Sequence, residues 1–214
     1  MIRAIIFDLD GTLVDSELIA AETLASLLPE IGLDGAEIAA RYRGWRFATI
    51  LSELGKSTDR LLDDAFIATY RAAAGHRYER ELKAFPGVHA ALEALDLPIA
   101  IASSGPPEKI ARSLAITGLS RFFPRHAYSA YTLNSWKPEP ALFLHAAGAL
   151  GYPAGDVLVV EDSGVGLEAA RRAAMRAVLH DPEGKGEHDV PRFSSYADFA
   201  PLLAGFRGAA AGEM

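Results

Sequence analysis

Hydrophobic and polar positions along this chain fall into two regimes. Four short runs are apolar without interruption: Ile5-Ile6-Phe7, Ile99-Ala100-Ile101-Ala102, Val157-Leu158-Val159-Val160 and Ala177-Val178-Leu179. A run that does not alternate reads as a strand covered on both faces, as in a parallel sheet. Helical spacing is predicted over 88–95, 108–116, 140–150 and 165–174, and a further short strand over 126–129. Strand and helix in alternation predict an α/β fold, a Rossmann-like parallel sheet with helices on both faces.

Residues 15–83 follow a different pattern, with no convincing strand. Asp15 or Ser16 is expected to cap a helix to about residue 28, with Leu18, Ala21, Leu24 and Leu28 at helical spacing. Further helices are expected over 36–42 and 48–54. Ser57 and Thr58 read as caps of a longer one that carries Leu61, Leu62, Ala65, Phe66 and Tyr70. The strand at 5–7 needs sheet partners that exist only downstream. The helical block is therefore expected to be an insertion after the first strand, closed by Phe85-Pro86-Gly87. This divides the chain into an α/β core of residues 1–14 and 84–214 and a helical domain of residues 15–83. The tail 207–214 is small and polar and is expected to fray.

Composition narrows the function classes. Half of the 214 residues are apolar and 23% are charged, as in a folded globular protein. A formal net charge of −7 argues against non-specific nucleic-acid binding but leaves room for a small anionic partner at a locally positive site. The absence of cysteine excludes disulfides, thiol catalysis and thiolate-bound zinc. The N-terminal apolar stretch is too short for a signal peptide or a membrane span. A soluble cytoplasmic chain, monomeric or weakly dimeric and without a membrane partner, is expected.

Each apolar run is followed by reactive groups. Asp8 and Asp10 follow the first, Ser103, Ser104 and Gly105 the second, and Glu161, Asp162 and Ser163 the third; Lys137 precedes Pro138 ahead of a helix. In a parallel sheet these strand ends share one edge, so the groups converge. Four carboxylates at one place do not stay ionised together without compensation. A divalent cation and Lys137 leave one negative charge, or none if one acid keeps a proton. Hard cations take oxygen ligands. A carboxylate can act as nucleophile toward phosphorus, and a second can protonate the leaving oxygen and later activate water. A hydroxyl, a lysine and the backbone N–H groups of Ser104 and Gly105 suit the phosphate oxygens. Taken singly, these residues also have plainer readings: a capped strand end, a serine turn, a solvated lysine.

Together the motifs resemble those of the haloacid-dehalogenase superfamily of hydrolases. Asp8-Leu9-Asp10-Gly11-Thr12-Leu13-Val14-Asp15-Ser16 is similar to the first motif, Ser103 to the second, Lys137 in Trp136-Lys137-Pro138-Glu139-Pro140 to the third, and Glu161-Asp162-Ser163 to the fourth. The helical insertion resembles the cap of the phosphoglucomutase-like subgroup. The resemblance implies Asp8 as nucleophile and Asp10 as general acid and base. It implies Mg2+ held by the Asp8 carboxylate, the Asp10 backbone carbonyl and Asp162, with Glu161 contributing directly or through water. Ser103 and Lys137 would bind phosphate. Dehalogenase members lack the second acid, so Asp10 favours phosphate esters.

The segments Ser103-Ser104-Gly105-Pro106, 136–142 and His145-Ala146-Ala147 are similar to those of bacterial sugar-phosphate phosphatases. They imply a small phosphorylated sugar or sugar acid, 6-phosphogluconate-like. A phosphomutase of the β-phosphoglucomutase type is the alternative. Its cap histidine aligns here with Ala20, and no histidine lies between Asp8 and Arg71. Gly44-Trp45-Arg46 reads either as a specificity loop, with Arg46 meeting a second anionic group, or as a helix–helix turn. Arg71, His76, Arg77 and Arg80 form a basic face, and His145 reads as structural.

Overall fold

The structure is a computed structural model that describes residues 1–184 and 188–208. The chain begins with β1 (Ala4–Phe7) and then runs through four helices, α1 (Glu17–Leu27), α2 (Gly35–Tyr42), α3 (Phe47–Thr58) and α4 (Asp64–Glu81). It returns through α5 (Val88–Glu93) to β2 (Ile99–Ser103), α6 (Pro107–Ile116), β3 (Ala127–Ser129), α7 (Ala130–Leu133) and α8 (Ala141–Leu150). It finishes with β4 (Val157–Glu161), α9 (Gly164–Arg172), β5 (Arg176–His180), β6 (Arg192–Phe193) and α10 (Phe199–Gly208).

The strands form a six-stranded sheet in the order β3-β2-β1-β4-β5-β6, parallel throughout. The apolar runs are uninterrupted because both faces of the sheet are covered. Ala4, Ile6, Ala100, Ala102, Val157 and Val159 face Leu142, Phe143 and Ala146 of α8 and Ala169 and Ala170 of α9. Ile5, Phe7, Ile101, Leu158 and Val160 face the other way, into a core with Val88, Leu92, Ile110, Leu114, Phe199 and Leu203. The chain steps from β1 outward to β2 and β3, then crosses back to β4. The order in which strands are added thus reverses beside β1, and the crevice beyond the strand ends there is where sheets of this kind bind ligands.

The helical stretch departs from the sequence expectation at two of its helix caps. Ser57 and Thr58 do not start a helix; both lie in the last turn of α3, and their hydroxyls donate to the Leu54 carbonyl at 2.9 Å. A hydroxyl that can reach back one turn satisfies itself inside the helix it ends. Asp63 caps the next helix instead, accepting from the Phe66 N–H at 3.0 Å, so Leu61 lies outside it and is 85% exposed. Ser16 occupies the N-cap position of α1 but its side chain does not cap it. Asp34 and Glu37 form a capping box at α2 that the apolar pattern did not reveal.

β6, with two residues, is too short to leave a pattern. Of the tail, residues 209–214 lie outside the described residues, while Arg207 and Gly208 close α10. Among the described residues no helix is long and apolar enough to cross a membrane.

Candidate active site

The carboxyl end of β1 is pinned from several directions. Gly11 has φ +78°, a left-handed turn that favours glycine, and the Asp162 carboxylate occupies the space a Cβ would need. The His180 ring N–H at Nδ1 donates to the Gly11 carbonyl at 2.9 Å, and the Tyr196 hydroxyl donates to the Thr12 carbonyl at 3.0 Å. This rigid turn sets the side chains of Asp8 and Asp10.

Asp8, Asp10, Lys137, Glu161 and Asp162 line one cavity of about 390 Å³. The Lys137 ammonium, 9% exposed as a residue, bridges two carboxylates: it donates to Asp8 Oδ1 and, at 2.5 Å, to Glu161 Oε1. Glu161 Oε2 accepts from Ser163 Oγ at 2.9 Å and from the Asp162 and Ser163 N–H groups at 3.1 Å. Glu161 is therefore held from both of its oxygens. Asp162 accepts from Thr12 Oγ1 at 3.5 Å, a long bond for a buried carboxylate. Ser104 and Gly105 line the cavity, whereas Ser103 is fully buried beneath them and its Oγ accepts from the Gly105 N–H at 3.0 Å.

Arg46 stands elsewhere. Its guanidinium lies 3.7 Å from the centre of the Trp136 ring, in a neighbouring cleft with Trp45 and Thr49. Arg43 lines the main cavity in its place, 3.3 Å from Glu17. The reason is local. α2 ends at Tyr42, and Gly44 then turns the chain with φ +75° close against Ser163, where a Cβ would come within 2.6 Å of the Ser163 Cβ. Past that turn Trp45 and Phe47 still line the main cavity, while Arg46 between them is turned onto Trp136.

The basic face is largely paired among its own residues. Arg77 meets Glu22 at 2.6 Å and Glu81 at 2.5 Å, and Arg80 meets Glu81 at 3.6 Å. Arg71 lines the cavity. His145 packs edge-on against Tyr128 with ring centres 4.9 Å apart.

The structure also brings in a group that sequence reasoning missed. Lys109 of α6 reaches Asp10 Oδ1 at 2.6 Å, and Ser16 Oγ donates to the same oxygen at 2.5 Å. No motif signals a lysine six residues beyond Ser103. It arrives because Lys109 lies in the first turn of α6, which starts at Pro107 just beyond the end of β2.

Burial raises Asp8, with Lys137 opposing it and Glu161 and Asp10 adding to the rise, so that its pKa goes from 3.8 to about 8. Asp162 is raised by burial and then by Glu17, Glu161 and Asp8. Glu17 is raised to about 7 by burial, against the pull of Arg43. Asp10 goes the other way: burial would raise it, but the charge and hydrogen bond of Lys109 outweigh that and lower it. Lys137 is raised, because Asp8 and Glu161 outweigh the effect of its burial.

The groups that act on one another number five carboxylates, Asp8, Asp10, Glu17, Glu161 and Asp162, against three cations, Lys109, Lys137 and Arg43. With all five ionised two negative charges are in excess, the charge of one divalent cation; without such a cation the raised Asp8, Glu17 and Asp162 are pushed toward their protonated forms. The donors are all oxygens, as a hard cation requires. Among the described residues no three carboxylates or imidazoles gather into a cation site by themselves. The fit is therefore one of charge and donor type, to be completed by backbone carbonyl and water.

Gly166 in the first turn of α9 makes the Glu161 position possible, since a Cβ there would overlap the Glu161 carboxylate. Gly166→Ala is expected to displace that buried carboxylate from Lys137. The expected loss is about 3 kcal/mol, within the range for breaking a buried ion pair. In a protein of this size that lowers Tm by roughly 6–12 °C. A melt within about 2 °C of the parent would mean the network tolerates the methyl group.

Comparison with known proteins places this site in a family. The haloacid dehalogenase-like hydrolase family matches residues 2–174. The 6-phosphogluconate phosphatase of Escherichia coli is 32% identical over 189 residues, covering 86% of each chain. Among solved structures, a haloacid dehalogenase-like protein of unknown function from Agrobacterium tumefaciens superposes with a TM-score of 0.84 at 31% identity, over 97% of this chain and 100% of that one. A hydrolase of the same family from Deinococcus radiodurans, solved with bound phosphate and sodium, superposes with a TM-score of 0.75 at 29% identity, over 95% of this chain and 96% of that one. The chain belongs to the haloacid dehalogenase-like hydrolase family and is an enzyme of its phosphatase type.

Proposed function

We propose that this chain is a Mg2+-dependent phosphatase. Its substrate is a small phosphorylated sugar or sugar acid, 6-phosphogluconate-like, and it works through an aspartyl phosphate on Asp8. The observation that carries this reading is the buried Asp8 carboxylate, held by Lys137 in a cavity it shares with Asp10, Glu161 and Asp162. The relationship to the Escherichia coli 6-phosphogluconate phosphatase supports the sugar-acid class.

The Asp8 carboxylate attacks phosphorus, forming a carboxyl–phosphate bond as the bond to the leaving oxygen breaks. Asp10 gives its proton to that oxygen, then takes one from the water that attacks the phosphorus and releases phosphate. Lys109 beside Asp10 favours the ionised carboxylate, which serves the water-activating step and works against the protonated form that the first step needs. Lys137 and the Ser103–Gly105 turn hold phosphate oxygens, and Glu161 positions Lys137. Bound magnesium, held by Asp8, Asp162 and the Asp10 backbone carbonyl, would neutralise the excess charge and polarise the phosphoryl group. In this reading residues 15–83 act as a cap over a core of residues 1–14 and 84–214, excluding bulk water during reaction. Ala20 presents only a methyl group to the cavity, so no observation favours the mutase reading.

The test is phosphate release from a panel of sugar and sugar-acid phosphates with Mg2+. EDTA is expected to bring release to background and added Mg2+ to restore it. Release that persists in EDTA would overturn the metal requirement. An isomerised product without free phosphate would favour a mutase.

A further inference from the structure

The cations that line the cavity are Arg43, Arg71, Lys109, Arg112 and Lys137. All but Arg71 are paired. Arg43 stands 3.3 Å from Glu17, Lys109 2.6 Å from Asp10 and Arg112 2.5 Å from Glu79, and Lys137 bridges Asp8 and Glu161. Arg71 has no carboxylate within ion-pair distance among the described residues, and it is exposed at the cavity edge. Tyr42, Tyr70 and Tyr78 line the same cavity at 5%, 8% and 5% exposure, and their hydroxyls make no hydrogen bond among the described residues. Arg71, Ala74, Gly75 and Tyr78 share one face of α4, at the spacing of successive helical turns. Tyr78 is at the catalytic end of that face, since Lys109, which holds Asp10, lies 5.6 Å from its ring centre. Arg71 comes seven residues earlier, about 10 Å along the helix axis.

We propose that Arg71 sets specificity by pairing with a carboxylate at the far end of an extended sugar-acid chain whose phosphate sits over Asp8. The proposal rests on the phosphatase reading and deepens it. A guanidinium presents two N–H groups to the two oxygens of a carboxylate. A six-carbon chain with C–C bonds of about 1.5 Å reaches roughly 10 Å from phosphorus to carboxylate when extended, the separation that α4 sets between its catalytic end and Arg71. A three-carbon acid falls short of it. Hydroxyls along the chain give up water on entering the cavity, and the free hydroxyls of Tyr42, Tyr70 and Tyr78 replace those partners. An exposed ion pair contributes little, but a substrate that fills the cavity shields this one from solvent. Arg46, stacked on Trp136 in the adjacent cleft, has no part in it.

The experiment measures kcat and KM with Mg2+ for three esters: an aldonate 6-phosphate, the matching alditol 6-phosphate with a hydroxymethyl group in place of the carboxylate, and a three-carbon phosphoglycerate. The parent is expected to favour the aldonate over the alditol by about tenfold or more in kcat/KM, equivalent to about 1.4 kcal/mol. Arg71→Gln is expected to shrink that ratio to about twofold or less, through a higher KM for the aldonate with little change in kcat. Arg71→Lys keeps the charge and should hold the ratio above about threefold. The phosphoglycerate should lose less than about threefold in Arg71→Gln, because its carboxylate does not reach. A parent ratio near one, or an unchanged ratio in Arg71→Gln, would overturn the proposal and leave the phosphatase reading intact. An equal loss on the phosphoglycerate would also overturn it, showing long-range attraction in place of a contact. If no ester releases phosphate in an Asp8-dependent way, the phosphatase reading fails and the proposal fails with it.

Discussion

Asp8→Asn is expected to lower kcat for phosphate release by on the order of 10⁴-fold or more, the scale on which loss of a nucleophile is felt. An amide has nearly the shape of the carboxylate but does not attack phosphorus. The same substitution removes a buried charge whose pKa burial has pushed to about 8. The variant should therefore remain folded, and a melt close to the parent's would separate lost chemistry from lost structure. Hydrolysis at anything near the parent rate would mean that another group, or water directly, attacks the phosphorus. The nucleophile would then have to be sought elsewhere in the cavity.

Lys137→Met is expected to act on stability and on activity together. Among the described residues Lys137 is the one group seen to bridge Asp8 and Glu161, which are 6% and 1% exposed. Without it two buried carboxylates face each other unpaired, at a cost of about 3–5 kcal/mol. Loss of a cation aimed at developing charge on phosphate is expected to lower kcat by on the order of 10²–10³-fold. Adding Glu161→Gln to Lys137→Met removes one of the two stranded charges. The double variant should regain part of the lost stability and none of the activity, a coupling that a double-mutant cycle reads directly. A Lys137→Met protein as stable as the parent would show that the two carboxylates share a proton or find another cation. Unchanged turnover would exclude Lys137 from phosphate binding.

Much of the fold was legible because its signals are local. A sheet covered on both sides needs unbroken apolar strands, and the four runs that show this became β1, β2, β4 and β5. The helices in between followed from apolar spacing. The start of α4 did not, because Ser57 and Thr58 have the right chemistry for a cap and lie where α3 could use them first. Competition between two neighbouring helices for the same hydroxyls is settled by packing. Nor did two-residue β6 leave a readable period.

The candidate site divides in the same way. Asp8, Lys137, Glu161 and Asp162 could be picked out because parallel strands bring their ends to one edge, and that rule needs no knowledge of packing. Lys109 and Arg43 could not. Lys109 lies in the first turn of α6 and Arg43 just past the end of α2, so where each points depends on how those helices pack, and nothing in the surrounding residues distinguishes them from solvated cations. Arg46 shows the converse. It sits three residues from Arg43, yet the Gly44 turn sends it onto Trp136 in the adjacent cleft. Residue chemistry and strand order were enough to specify a parallel sheet with acids along one edge. Which cation balances which acid depended on the approach of segments far apart in the chain, because Coulomb and packing energies follow distance in space and not separation in sequence.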